Sequence, residues 1–137
     1  MREILFRGKR KDNDEWVEGY YARKGVDKDT FKHFICVMTF NVNGNTYSSM
    51  FYLTDIEVIP ETVGQYTGLK DKNGKKIFEH DIVRIAVCGT YDNYVISYDK
   101  ENARFVVGDT GFTFWSYIST KIEVIGNIHD NPELLQD

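Results

Sequence analysis

Short apolar segments alternate with clusters of Asn, Asp and Gly along the chain, and this alternation limits the fold more than any other feature of the sequence. The apolar residues recur with a period of two or form continuous runs of strand length, whereas no helical period continues beyond about two turns. Asn-Gly, which favours the tight turn of a β-hairpin, occurs at residues 43–44 and 73–74. The pattern predicts an all-β fold.

The apolar segments predict strands, and the polar clusters between them predict turns. Strands are expected at residues 3–7, 16–22, 31–40, 46–53, 56–60, 81–87, 94–99, 104–107, 112–117 and 122–128. Turns are expected at residues 11–14, 43–45, 72–75, 100–102 and 108–111. Near the end, Asn131 is placed to cap a short helical turn that begins at Pro132, and Leu134 and Leu135 are expected to seal one edge of the core.

The composition fits one soluble core. Of the 137 residues, 42% are hydrophobic and 28% are charged, and the aromatic residues comprise two Trp, nine Tyr and nine Phe. The net charge of -4 is too small for an acidic mimic of DNA and has the wrong sign for a general nucleic-acid binder. Residues 33–38 and 112–117 are apolar on both strand faces, so we expect these strands either to be buried on both sides or to contact a second chain.

No segment has the length and apolar character of a membrane helix, since the longest apolar run, residues 34–40, is the size of a strand. The N-terminal residues lack the apolar stretch of a signal peptide, so we expect a cytoplasmic protein without membrane contact. Cys36 and Cys88 lie within apolar segments, which is typical of buried free thiols rather than of a disulfide.

Catalytic and metal-binding motifs are scarce. The sequence contains no CxxC or HExxH motif, no GxSxG nucleophile turn and no glycine-rich phosphate loop. We therefore expect no catalytic residues, no metal site and no cofactor. One alternative stays open, because Glu79, Asp81 and His129 are residue types that hold a divalent cation in phosphodiesterase-like enzymes.

Two basic clusters are candidate partner-binding surfaces. The first combines cations with aromatic residues near the N-terminus, and its candidates are Arg7, Arg10, Lys11, Tyr20 and Tyr21. The second is a lysine-rich turn, and its candidates are Lys72, Lys75 and Lys76, joined by Lys70. Interleaved cations and aromatic rings favour single-stranded nucleic acid, but the acidic residues at positions 12, 14, 15 and 18 are expected to neutralise the first cluster by cross-strand pairs. The lysine-rich turn is expected to contact an acidic partner.

Residues 65–83, with the sequence QYTGLKDKNGKKIFEHDIV, resemble the signature of the YopX family. Two further segments agree with this resemblance, namely residues 2–7 (REILFR) and 123–134 (EVIGNIHDNPEL). The resemblance therefore extends from end to end, although residues 8–60 carry little of it. The YopX family consists of small proteins encoded mostly by phages and prophages of Gram-positive bacteria, and it has no established catalytic residues.

The resemblance implies a single YopX-like domain over residues 1–137, with two intimately packed β subdomains at residues 1–64 and 65–137. Residues 60–64, which interrupt the strand pattern, agree with this boundary. The resemblance also implies an SH3-like small barrel in the C-terminal half and a location in the cytosol of a bacterial host. His80 is a departure, because the family pattern usually has Gly there. His is one of the less costly residues where the backbone has a positive φ.

These features predict a phage or prophage accessory protein that acts as a non-enzymatic, macromolecule-binding β module. A protein partner is favoured, a homo-oligomer is a reasonable hypothesis, and nucleic acid is not favoured. The alternatives from other classes are a metal-assisted phosphodiesterase-like enzyme and a single-strand nucleic-acid binder.

Overall fold

The computed structural model describes residues 2–42, 49–87, 89–108, 112–113 and 121–135. Within these ranges the chain is all-β, as predicted, and its only helices are two short 3₁₀ helices at Pro60–Thr62 and Pro132–Leu135. None of the helices in the described ranges could cross a membrane. The strands are β1 (Phe6–Lys9), β2 (Trp16–Gly25), β3 (Phe31–Val42), β4 (Ser49–Glu57), β5 (Gly64–Lys70), β6 (Lys76–Phe78), β7 (Asp81–Val87), β8 (Thr90–Asp99), β9 (Arg104–Val107), β10 (Phe112–Thr113) and β11 (Ile122–Asn127).

The chain divides into two compact units. One is formed by Ile4–Gly64 and the other by Met1–Glu3 with Gln65–Asp137. The arrangement of two intimately packed subdomains within a single YopX-like domain over residues 1–137 stays a prediction.

In the unit Ile4–Gly64, which we call the N-terminal unit, β1 to β4 form an antiparallel sheet in the order β4-β3-β2-β1. The chain before the first turn also pairs with the end of β4. The Lys11 N–H donates to the Glu57 carbonyl at 3.0 Å, and the Ile59 N–H donates to the Lys9 carbonyl at 2.9 Å. These bonds close the sheet on itself, and Ile35, of which 0% is exposed, lies in its apolar interior.

β2 and β3 approach each other closely at Gly19. A Cβ atom added there would lie 2.3 Å from the carbonyl oxygen of Cys36, which is far inside contact distance. Because that oxygen belongs to the backbone, no side-chain movement relieves the clash, and only glycine fits this position.

β3 and β4 extend beyond β2. β3 pairs with β2 only from Phe31 to Cys36, whereas its pairing with β4 continues as far as Val42 opposite Ser49. Residues 37–42 and 49–54 therefore form a two-stranded arm, and no third strand pairs with this arm in the described part of the chain.

In the second unit, which we call the C-terminal unit, β5 and β6 form a hairpin, and β7 to β11 form a sheet in the order β10-β9-β8-β7-β11. All pairs in this sheet are antiparallel, and β11 returns to lie beside β7. Apolar side chains from both elements build the core, in which each large aliphatic group stabilises the fold by roughly 1.5–3 kcal/mol. The buried members of this core are Ile77, Val83, Ile96, Val107, Ile122 and Val124.

The strand predictions agree with the structure at residues 81–87 and 104–107, which are β7 and β9. The break predicted between the strands at residues 46–53 and 56–60 was wrong, because one strand, β4, runs through it from Ser49 to Glu57, and the second predicted strand ends early, since Pro60 begins a 3₁₀ helix. Asp55, which was expected in a polar link, continues the ladder opposite Cys36. Its carboxylate pairs with Lys24 and accepts a hydrogen bond from the Cys36 thiol, so this polar side chain has its partners within the sheet.

The predicted helical turn at Pro132 is confirmed as a 3₁₀ helix. The expectation that Leu135 seals the core is wrong, because 42% of this residue is exposed. The helix is instead attached through its backbone, since the Leu134 carbonyl accepts a hydrogen bond from Asn93 Nδ2 at 2.9 Å. The turn predicted at residues 43–45, Cys88 and residues 114–117 lie outside the described residues.

Candidate functional site

The lysine turn, residues 70–76, connects the end of β5 to the start of β6. The Asp71 N–H donates to the Lys75 carbonyl at 2.7 Å, and the Gly74 N–H donates to the Asp71 carbonyl at 3.0 Å. Gly74 has a φ of +82°, a conformation that glycine adopts without steric cost. The Asn-Gly pair therefore located this turn correctly.

The Asp71 side chain anchors the lysine turn from inside, with only 6% of the residue exposed. Its Oδ1 atom accepts the N–H groups of Asn73 at 2.8 Å and Lys75 at 2.9 Å. Its Oδ2 atom accepts the N–H of Val124 on β11 at 2.9 Å. A second bond to the same strand comes from the Lys72 N–H, which donates to the Ile122 carbonyl at 3.0 Å. The turn is therefore fixed to the sheet and to itself.

Two opposing effects act on the pKa of Asp71. Burial raises it, because the charged form loses water, but the backbone N–H donors of Val124, Lys75 and Asn73 outweigh burial and hold the pKa below its ordinary value. The carboxylate is thus charged at neutral pH, and its charge is directed inward to the backbone.

The lysines of the turn surround the Asp71 side chain in sequence, and most of them are exposed to solvent. Lys70, Lys72 and Lys75 are exposed, and Lys76 is half-buried with its Nζ 6.0 Å from the centre of the Tyr66 ring. Lys70 and Lys76 lie directly opposite each other in the β5–β6 pair, where like charges are destabilising. Lys72 lies 3.5 Å from Glu123 Oε2. The turn is a small, rigid, positively charged surface.

Two cations of the N-terminal cluster, Arg10 and Lys11, form ion pairs within the chain. Arg10 forms a two-bond ion pair with Asp12, with Nε to Oδ1 at 2.9 Å and Nη2 to Oδ2 at 2.8 Å. This hydrogen-bonded pair raises the pKa of Arg10 and lowers the pKa of Asp12. Lys11 Nζ lies 3.3 Å from Glu57 Oε2, a partner on β4 that the sequence pattern does not indicate.

The two candidate tyrosines do not share a surface, because successive residues of a strand face opposite sides. Tyr20 is 58% exposed. Tyr21 is half-buried, stacks on His33 with ring centres 5.8 Å apart, and bonds through its hydroxyl to His33 Nδ1 at 2.5 Å. Arg7 lies over the ring of Trp16, with its Cζ 4.7 Å from the ring centre. The predicted N-terminal residues therefore do not form one continuous stripe of bare aromatic rings and cations.

A model of the YopX family, described as YopX protein, matches residues 5–136. The chain belongs to the YopX family. The match covers the lysine turn and the N-terminal cluster alike.

Among solved structures, this YopX chain is similar to the crystal structure of protein EF1440 from Enterococcus faecalis, with a TM-score of 0.65 and 25% sequence identity. The alignment covers 99% of this chain and 100% of that chain. No curated protein matches the chain. The comparisons therefore give the family and its fold, and they give no activity.

The residues of the enzyme alternative have structural roles in this YopX protein. Asp81 is 1% exposed, and its Oδ2 accepts the Phe78 N–H at 2.8 Å. Glu79 Oε1 accepts the Gln65 N–H at 3.0 Å. His129 Nε2 lies 3.5 Å from His80 Nδ1. Across the described residues, no group of three or more His, Cys, Asp or Glu side chains is arranged to hold a metal ion.

His80 adopts a φ of +71°, in the region that favours glycine. A His side chain therefore occupies a backbone conformation that glycine adopts without steric cost. The backbone of His80 is held on both sides, since its N–H donates to the Ile96 carbonyl at 2.8 Å and its carbonyl accepts the Ile128 N–H at 3.0 Å. The surrounding strands therefore impose this conformation.

Sequence reasoning missed the residue that organises the lysine turn. Asp71 lies just before the turn predicted at residues 72–75, and an Asp two residues before a Gly-preceding Asn is the pattern of a side chain that binds the turn's own N–H groups. That local signal was sufficient to predict the bond to Asn73. No local signal indicates the bond to Val124, which depends on the return of β11 to the turn.

Proposed function

We propose that this YopX protein is a non-enzymatic binding module that contacts an acidic surface of a partner protein through the lysine turn. The observation that carries this proposal is the anchoring of the turn by Asp71, which fixes the backbone between the four lysines in one conformation. A preformed turn loses little conformational entropy on binding, so the gain from each ion pair is retained. The proposal concerns binding alone and includes no reaction.

The charge arrangement also supports a binding role. Lys70 and Lys76 lie directly opposite each other in the β5–β6 pair, so an acidic partner at the turn meets two lysines side by side. Asp71 is the single acidic residue of the segment, and its carboxylate binds backbone N–H groups, so it does not neutralise the exposed ammonium groups.

The N-terminal cluster supports a protein partner less strongly, because Arg10 and Lys11 are paired within the chain. A single-stranded nucleic acid requires bare aromatic rings for stacking, and Trp16 lies under the Arg7 guanidinium. These contacts weaken the case for nucleic acid at the N-terminal cluster, where Tyr20 is the exposed candidate ring.

The same proposal includes the origin and the finer fold of the chain. The resemblance of residues 65–83 supports a phage or prophage accessory protein that works in the cytosol of its bacterial host. The order β10-β9-β8-β7-β11, in which β11 returns to the first strand of the meander, supports an SH3-like small barrel in the C-terminal half.

Calorimetric titration with poly-L-glutamate tests the binding proposal. We expect the Lys70→Glu/Lys75→Glu double variant to bind at least about tenfold more weakly than the natural chain at low salt. The matched control is Lys28→Glu/Lys100→Glu, which makes the same charge change at two exposed lysines outside the turn and is expected to bind nearly as well as the natural chain.

Equal losses in the two double variants would show a response to net charge alone and would refute the role of the turn. A single-stranded oligonucleotide of matched charge is titrated in parallel. Tighter binding of the oligonucleotide than of poly-L-glutamate, with affinity that falls steeply with salt, would favour the nucleic-acid alternative instead.

A further inference from the structure

β4 is the outermost strand of its sheet, with β3 on one side and no strand on the other among the described residues. The Val58 N–H donates to the His33 carbonyl on β3 at 2.9 Å, so the backbone of Val58 faces β3. The N–H and C=O groups of successive residues face opposite sides of a strand. The backbone groups of Glu57 and of every second residue before it therefore face outward, and these residues are Asp55, Leu53, Phe51 and Ser49.

Within the part of the chain that the structure describes, this outward edge is covered at one end only. The Lys11 N–H donates to the Glu57 carbonyl. The chain then turns away from the β4 edge and passes through Asp14, which has a φ of +58°. A cleft of about 470 Å³ lies beside the uncovered edge, and its walls are residues 10–12 and residues 54–57. A second strand therefore has room to approach the edge beside Thr54 and Asp55.

The two-stranded arm, residues 37–42 and 49–54, has no third strand paired with it among the described residues. Two-stranded hairpins are at best marginally stable in water, and a third strand or a packed face is needed for independent stability. Edge strands that stay single are usually protected by charged residues, proline or bulges. Residues 49–54, with the sequence SMFYLT, contain no charged residue and no proline, and their register with β3 has no irregularity.

We propose that a second copy of this chain pairs with the open edge of β4, so that two N-terminal sheets join through antiparallel β4 strands. A twofold axis at Tyr52 places Phe51 opposite Leu53 and Ser49 opposite Asp55. The charged residue of each edge then meets a neutral residue of the other copy, and no like charges oppose each other. The pairing is self-complementary in both hydrogen bonding and charge, and it goes beyond the function proposed for the lysine turn.

Light scattering coupled to size-exclusion chromatography gives the first test. We expect the full chain to have twice the mass of one copy at about 100 µM and to dissociate on dilution. Leu53→Pro removes one outward N–H and is expected to give a folded monomer, since an edge strand tolerates proline where its N–H faces out. Leu53→Val keeps the N–H and is the matched control, which is expected to remain a dimer.

Amide hydrogen exchange of the natural chain provides a second test that does not depend on the folding of a variant. The outward amides of Ser49, Phe51, Leu53 and Asp55 are expected to exchange at least about tenfold more slowly at high than at low protein concentration. The inward amides of Met50, Tyr52 and Thr54 bond to β3 and are expected to be independent of concentration.

Three results would overturn the proposal. They are a monomer at about 100 µM, a folded Leu53→Pro variant that still dimerises, and a dimer in which concentration slows exchange elsewhere than at the four outward amides. If the protein is a monomer, the other possible occupant of the β4 edge is an extended segment of a different protein, which would pair with β4 as an added strand.

Discussion

The Asp71 carboxylate accepts the backbone N–H of Val124 at 2.9 Å, across 53 positions of the sequence. With its other oxygen it accepts two N–H groups of its own turn. One buried side chain therefore joins the lysine turn to the last strand of the sheet, and the position of the exposed lysines depends on it.

Replacing Asp71 by Asn is expected to lower the free energy of unfolding by about 2–3 kcal/mol, because hydrogen bonds to a charged acceptor are lost and an amide N–H₂ group faces backbone donors. Urea denaturation measures this change. Asp99→Asn is the control, since Asp99 accepts only from its own turn and from Arg104 and is expected to cost less than half as much. Equal costs for the two variants would contradict the role of the Val124 bond.

The stabilisation that the Asp71 carboxylate gives to the fold is expected to depend on pH. The folded pKa of Asp71 lies below its ordinary value, so the unfolded chain takes up the proton first as the pH falls. The stabilisation is therefore complete above the ordinary pKa of Asp and is lost as the pH falls through the depressed folded pKa. The free energies of unfolding of the natural chain and of Asp71→Asn should differ by a constant amount above the ordinary pKa of Asp and converge as the pH falls below it. Acid and urea denaturation that give the same difference at every pH would refute this prediction.

Cys36 is expected to react slowly with alkylating agents in the folded protein. Burial raises the pKa of the Cys36 thiol, and the Asp55 carboxylate, which accepts its hydrogen bond, raises it further, whereas Lys24 lowers it. The midpoint of the alkylation rate against pH, measured in a Cys88→Ser background, is expected to fall in Asp55→Asn and to rise in Lys24→Met. Shifts of the same sign in both variants would show that the local charges do not control this thiol.

The positive φ of His80 predicts that glycine is the better residue for its backbone. His80→Gly and His80→Ala both remove the contact with His129, so their difference isolates the conformational cost at a φ of +71°. We expect the Gly variant to be more stable than the Ala variant by about 1 kcal/mol. Thermal denaturation of both variants measures this difference, and a more stable Ala variant would show that the turn changes its conformation when the ring is removed.

Local patterns predicted the strands and turns that depend on neighbours in sequence. Alternating apolar residues located β7 and β9, and Asn-Gly located the lysine turn. The same patterns placed a link at Thr54 and Asp55, because a carboxylate within a strand is unfavourable unless a partner is present. That partner, Lys24, lies on β2, two strands away from Asp55 in the sheet, and no local rule indicates it.

The candidate site could likewise be predicted only in part, because its geometry depends on contacts between residues that are distant in sequence. The exposed lysines follow from their position in a turn, but their fixed geometry depends on Val124 and Ile122, which meet the turn only after β11 has formed. Lys11 likewise has its partner, Glu57, 46 positions away. Residues that act through such contacts are found from the topology and not from the order of the sequence.

The bonds between residues 9–11 and residues 57–59 also limit how many copies can assemble. Among the described residues, they leave one stretch of the β4 edge, from Asp55 towards Ser49, open to a neighbour. An edge that serves one neighbour has a valence of one, so an assembly built through it ends at two copies.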